Sequence, residues 1–323
     1  MRGSRRPNAP EYRNLLLGLL PVLLVAVAGF GCGDDAVSYP DGWDFGADAG
    51  ADADADADAD GFHGIGSPYD EPLCSAASLA DLEAAYVPAA WRDSVLPALD
   101  ARYAIGAYVL RDVPDSLGCD WQMFMRGTAT FAGMLDDLGT LVHELGHCWG
   151  FQFFGGGYAY LLTDTLEFHT SFLDTFDRSE ISTVHEYLAD DFYADTYLTG
   201  SSGAQGFSTV LDELNQYTHS LAIAWCYRDY RSPGMRVSAR DGLLTFLYYT
   251  EKYLQLARTA HPGDYDRILG DEQAMRALDT LWGRANLYLE LTAAETSLGI
   301  NDDRIAGYVF AEANLEELRL VLP

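Results

Sequence analysis

The sequence predicts an α+β fold that is mostly α. A small mixed N-terminal lobe with a few strands should lead into a long central helix and a C-terminal helical bundle. Two observations carry this. Beyond Asp136 apolar residues recur mainly at helical spacing, whereas β-branched and aromatic runs between turn signals occur earlier. About 250 residues remain once the N-terminal low-complexity stretch is set aside, enough for one sizeable core.

The elements follow in chain order. Arg2, Arg5, Arg6 and Arg13 precede an apolar run from Leu15 to Phe30 and the pair Gly31-Cys32. A basic head, a short apolar core and small residues at the cut are the layout of a secretory signal, assigned to residues 1–31. The run is too short for a membrane span. The cysteine resembles the lipidation site of a bacterial lipoprotein, which implies Cys32 as a lipid-bearing mature N-terminus. Gly29 departs from that pattern, which usually has leucine there. The expected location is the bacterial cell envelope, anchored to the membrane through Cys32 and facing the periplasm or cell surface; cleavage without lipid would give a secreted protein.

Residues 32–67 are rich in Asp, Ala and Gly, with strict Ala-Asp alternation from Ala51 to Asp60. Such a segment buries too little apolar surface to offset its ordering entropy and reads as a solvated, self-repelling tether. The full chain has a net charge of −29, and loss of residues 1–31 leaves about −32. That balance argues against nucleic acid as a partner. Cys74, Cys119, Cys148 and Cys226 permit two disulfides in an oxidising compartment, with three connectivities open, and Cys148 could equally be a buried thiol.

Residues 68–323 form the expected folded domain. Ser78 to Leu99 is helix-like but interrupted by Pro88 and Pro97, while Tyr103–Val109 and Gln122–Phe131 read as strands. Ser238 and Asp241 resemble a capping box that starts a helix running to about Arg258. Further helices are expected from Asp271 to about Thr292 and from Asp302 to Leu320. Between His147 and Ser179, Gly155-Gly156-Gly157 and an aromatic, hydroxyl-rich segment give no clear element.

The chemistry concentrates in LGTLVHELGHCWGF, residues 138–151. Leu138, Leu141, Val142, Leu145, Cys148 and Trp149 make a buried helical stripe, and His143 and His147, at i and i+4, project together from a neighbouring face. Two imidazoles so placed can reach one Zn2+, and Glu144 stands beside the pair as a general base for a metal-bound water. Gly146 suits close approach by another segment. The bland alternative is a core helix that happens to carry two histidines. A catalytic zinc needs a third ligand, and Phe153 excludes the reading in which a histidine follows at that position.

The candidate for the third ligand is STVHEYLADDFYADTYL, residues 182–198, expected as a helix. Glu186 would ligate the metal and Asp190, one turn on, would fix a ligand histidine's tautomer. Tyr217 or His219 would donate to the developing oxyanion. His169 and His185 are spare histidines, and Thr128–Phe131 is a candidate edge strand for substrate backbone.

His143-Glu144-Leu145-Gly146-His147 followed by Glu186-Tyr187-Leu188-Ala189-Asp190 resembles the gluzincin zinc metallopeptidases, of which thermolysin is a member. The E-Y-x-A-D form is similar to that of CAAX-type and HtpX-type membrane endopeptidases, although their transmembrane helices have no counterpart here. The resemblance, confined to residues 138–198, implies His143, His147 and Glu186 as zinc ligands, Glu144 as general base, and Asp190 behind a ligand. It implies hydrolysis of a peptide or protein substrate. The contrasting expectation is a non-catalytic surface lipoprotein that keeps zinc for structure or partner binding.

Overall fold

The computed structural model describes residues 65–322 except Gly155, Asp174 and Pro233. The expected signal segment, Cys32 and nearly all of the tether lie outside the described residues. The helices are α1 (Ala80–Ala85), α2 (Arg92–Arg102), α3 (Ala104–Asp112), α4 (Phe131–Phe151), α5 (Ala194–Tyr197), α6 (Gly200–Gly203), α7 (Phe207–Cys226), α8 (Ala239–Ala260), α9 (Pro262–Gly270), α10 (Glu272–Leu291), α11 (Asp302–Val309) and α12 (Glu312–Arg319). Strands β1 (Tyr158–Leu161) and β2 (Glu167–Thr170) pair antiparallel, with Tyr158 opposite Thr170 and Leu161 opposite Glu167. The fold is therefore α+β and mostly α.

Helix α4 starts where Thr130 accepts a hydrogen bond from Gly133 N through its side chain, and it is buried on every side from Leu141 to Gly150. It packs against α3, α7 and β1, and α7 in turn packs against α8 and α10. No helix among the described residues is long and apolar enough to cross a membrane.

The sheet is not where the sequence places it. Tyr103–Val109 falls mostly in α3, whose Ile105, Val109 and Leu110 are buried at helical spacing. Gly106 brings α3 so near α4 that a Cβ there would stand 3.2 Å from Val142 Cγ2, so tertiary packing overrides the local β preference. Gln122–Phe131 becomes a 3₁₀ turn, a loop and the start of α4. The Asp137 carboxylate accepts from Arg126 N at 2.5 Å and Gly127 N at 2.6 Å, so that backbone serves α4 instead of a strand ladder. The edge strand expected at Thr128–Phe131 is thus absent.

The later helices agree better. α8 and α10 span the expected ranges, whereas the expected 302–320 helix is divided into α11 and α12. The capping box at Ser238 does not form; Asp241 turns to the 300–301 loop and accepts from Ile300 N and Asn301 N, each at 2.9 Å. Asp271 caps α10 through Gln273 N and Ala274 N, and it also holds Ser171 N just beyond β2. Cys74–Cys226 ties the N-terminal segment to the end of α7, and Cys119–Cys148 ties the turn after α3 to α4 directly beyond His147.

Candidate metal centre

The site lies between α4 and α7. His143, His147 and Glu213 are all buried and each offers a ligand atom within 4.8 Å of the others. Glu213 Oε2 lies 3.5 Å from His143 Nε2 and 3.4 Å from His147 Nε2. Those separations are long for hydrogen bonds, and Oε2 is a buried oxygen with no hydrogen-bond partner among the described residues. They suit donors around a common centre, because zinc–ligand bonds of about 2.0–2.1 Å at tetrahedral angles set neighbouring donors about 3.3–3.5 Å apart. Two imidazoles and a carboxylate are a donor set that zinc accepts.

Hydrogen bonds behind the imidazoles aim them. His147 Nδ1 meets Asp212 Oδ2 at 2.6 Å, and His143 Nδ1 meets Ser220 Oγ at 3.1 Å. With both Nδ1 atoms donating outward, both Nε2 lone pairs converge on Glu213. Asp212 is itself clamped by Tyr158 Oη, donating at 2.7 Å, and Gln216 Nε2, donating at 2.9 Å. Gln216 reaches across α4 at Gly146, where a Cβ would come within 1.9 Å of its Oε1. The close approach expected of Gly146 is therefore made by the neighbouring α7.

The electrostatics suit a cation. Burial opposes a charge on His147, but the carboxylates of Asp212 and Glu213 outweigh it and push the imidazole well above its ordinary value. Burial would raise Glu213, yet the His147 and His143 imidazoles hold it well below the usual carboxylate range. Glu144 is 7% exposed, and burial pushes its carboxyl up, partly countered by the two histidines. The Tyr217 ring stands edge-on to His143 with centroids 4.8 Å apart, and its hydroxyl pairs with Tyr197 Oη at 2.8 Å. Burial keeps both phenols protonated well above their ordinary range.

The expected third ligand is elsewhere. Glu186 lies 3.3 Å from Lys252 Nζ and accepts from Asn314 Nδ2 at 3.2 Å, and Asp190 faces Arg304 at the surface. The 182–198 segment is not one helix but two 3₁₀ turns, Arg178–Thr183 and Leu188–Asp190, followed by α5. Asp191 Oδ1 accepts from Tyr193 N and His185 Nδ1 accepts from Tyr187 N, local bonds that compete with a helix and remove the shared face of Glu186 and Asp190. In the metal group their places are taken by Glu213 and Asp212. In the sequence they are an adjacent acidic pair in a long helical stretch, which no motif spacing singles out.

Compared with family models, curated proteins and solved structures, the chain matches none.

His219 does not face the metal group. Its Nδ1 meets Tyr103 Oη at 2.8 Å and its Nε2 meets the Leu161 carbonyl at 3.0 Å, so both nitrogens are engaged. Burial and the nearby Arg284 hold this imidazole well below its ordinary value, hence neutral. His169 pairs with Glu167 on the exposed face of β2, and His185 pairs with Asp191 at 2.7 Å. Neither stands as a fourth donor in the group.

Proposed function

We propose that the protein is a zinc-dependent metallopeptidase, secreted or tethered to the bacterial envelope through a lipid on Cys32, that cleaves a peptide or protein substrate. The observation that carries this reading is the buried convergence of His143 Nε2, His147 Nε2 and Glu213 Oε2 beside the buried carboxyl of Glu144. The donor set of two histidines and one glutamate is the one implied by the gluzincin resemblance, with Glu213 in place of Glu186.

His143, His147 and Glu213 would hold the metal, with Asp212 and Ser220 fixing the imidazoles. Bound there, zinc would supply a Lewis acid and lower the pKa of a water toward neutrality. Glu144 holds the proton taken from the attacking water and passes it to the leaving amine, a task that suits a carboxyl raised by burial. Tyr217, whose ring stands beside His143, would donate to the oxygen that gains charge.

The deep burial of the group, with His147 only 3% exposed, favours the contrasting reading of a zinc-holding surface lipoprotein without catalysis. Glu144 separates the two, since a structural site has no use for it. Elemental analysis and peptide hydrolysis are to be measured on the wild type, Glu213→Ala, Glu186→Ala and Glu144→Gln. One zinc in wild type, Glu186→Ala and Glu144→Gln, none in Glu213→Ala, and hydrolysis lost in Glu144→Gln is the expected pattern. Zinc without hydrolysis in the wild type would leave the structural reading; no zinc would remove both.

A further inference from the structure

The strap between β2 and α7 was expected to deliver a metal ligand. It delivers a hydroxyl instead. Tyr197, on α5, reaches Tyr217 Oη at 2.8 Å, and among the described residues neither hydroxyl has another hydrogen-bond partner. Each phenol carries one proton, and one proton is enough to bridge the two oxygens. The pair therefore keeps a second O–H that is free to donate. Its surroundings place it at the metal centre: Tyr217 is edge-on to His143 at 4.8 Å, and Tyr197 lies in the field of both Glu213 and Glu144.

The pair is held from both sides. Tyr217 stacks on Phe246 at 5.2 Å and lies across α8 at Gly242, where a Cβ would come within 2.2 Å of its Cε1. Tyr197 is held by Arg178, which is 0% exposed. Its Nε donates to the Tyr197 carbonyl at 2.9 Å, its guanidinium sits 5.3 Å from the Tyr197 ring centroid, and Nη2 donates to Ser202 Oγ. A buried guanidinium is costly when no carboxylate pairs with it. Among the described residues its Nη1 has no hydrogen-bond partner, and its side chain is engaged by Tyr197 and Ser202 alone.

We propose that Tyr197 is a catalytic residue that acts through its hydroxyl pair with Tyr217, the free O–H of the pair donating to the developing oxyanion, and that Arg178 is the positioning residue for Tyr197. This rests on the metallopeptidase reading above. No proton leaves the pair in the step; the hydrogen bond strengthens as charge grows on the substrate oxygen. A lone tyrosine would have to choose between its packing partner and the oxyanion, whereas the pair serves both.

The test uses the full chain as wild type, Tyr197→Phe, Tyr217→Phe, the double variant, Arg178→Lys and Arg178→Met. Three quantities are read: metal content, affinity of the cobalt-substituted protein for acetohydroxamate from its visible spectrum, and turnover of internally quenched peptides. Each tyrosine variant is expected to keep one metal, bind acetohydroxamate about 10-fold more weakly and lose on the order of 100-fold in kcat with KM little changed. The double variant should lose more than either single one but less than the product of their losses, because each single variant leaves one O–H without the oxygen that orients it. Arg178→Met should follow Tyr197→Phe, with partial recovery in Arg178→Lys. Unchanged acetohydroxamate affinity in metal-loaded Tyr197→Phe overturns the proposal and leaves the metal reading standing. Additive losses in the double variant, or loss of metal from Tyr197→Phe, also overturn it. A wild type that holds no metal overturns both.

Discussion

Helix α7 carries two buried polar clusters on neighbouring faces, and they are finished in different ways. Toward α4 it presents Asp212, Glu213, Gln216, Tyr217 and Ser220 to the two motif histidines. Toward α10 and β1 it presents Asn215 and His219 to Arg284 and the Leu161 carbonyl. In the second cluster the polar groups find one another. Arg284 Nε and Nη2 donate to Glu71 at 2.9 and 3.2 Å, Tyr288 Oη and Tyr69 Oη donate to the same carboxylate, and Tyr103 bridges Arg284 and His219. In the first cluster Glu213 Oε2 is left without a hydrogen bond among the described residues. Buried networks that close on themselves specify a fold. One that leaves a carboxylate oxygen between two imidazole nitrogens offers a donor set that a cation would complete.

Substitution should separate the two clusters. Glu213→Ala is expected to abolish stoichiometric zinc binding, the largest effect on the metal, while the metal-free protein, somewhat less stable, stays folded because His147 keeps Asp212 as its partner. Arg284→Met should do the reverse: about 3–5 kcal/mol of stability is lost because Glu71 stays buried without its cation, yet the folded fraction still takes up zinc. Urea denaturation and elemental analysis on both variants check this. Zinc retained by Glu213→Ala would break the contrast at its centre.

Asp212→Asn sharpens it. The substitution keeps the shape but weakens the bond to His147 Nδ1, and partners of this kind are worth about 10–100-fold in metal affinity. Competition with a chromogenic chelator measures it, and an unchanged affinity would show that Asp212 serves only α7. Acidity acts on the same group. In the metal-free protein the raised His147 favours folding fully below its ordinary imidazole value, and that contribution fades as pH rises through the raised folded value. The depressed Glu213 contributes above the ordinary carboxylate range and loses it as pH falls through its lowered value. The metal-free cluster is therefore most stabilising between those two ordinary values. Zinc must displace the His147 proton, so zinc affinity should fall by about tenfold per pH unit below the raised value. Affinity flat between pH 8 and pH 6 would contradict it.

The same contrast shows what the sequence made legible. The apolar stripe and i, i+4 histidines of residues 138–151 are local signals, and α4 forms as they require. Long periodic stretches likewise gave α8 and α10. The third member of the metal group was not legible in that way, because it comes from a helix whose relation to α4 is set by packing. Glu186-x-x-x-Asp190 looked like a ligand and its support only on the assumption of a helix, and local side-chain bonds from Asp191 and His185 remove that helix. Asp212-Glu213 carried no spacing rule to mark it. His219 illustrates the converse: a lone histidine is ambiguous until both of its nitrogens are found engaged. Tyr103–Val109 failed as a strand because aromatic and β-branched composition yields to a glycine contact between helices.

The smallest expected effect lies outside both clusters. Glu251, on α8, is fully buried and neither of its carboxyl oxygens has a hydrogen-bond partner among the described residues. Burial raises its pKa well above the carboxylate range; Lys252 opposes this and Glu186 adds to it. A raised folded pKa means that the folded state holds the proton more tightly than the unfolded one. The resulting stabilisation is present below the ordinary carboxylate value and is lost as pH rises through the raised one. Glu251→Gln keeps the volume and removes the titration, so its advantage over wild type should be small at pH 4 and grow toward neutral pH. A gain on the order of 1 kcal/mol corresponds to a Tm rise of about 2–4 °C in a domain of this size. Equal Tm differences at pH 4 and pH 8 would mean that Glu251 is not neutral in the folded protein. Zinc content should not change with this substitution, which separates Glu251 from Glu213, whose two imidazole neighbours make it a candidate ligand.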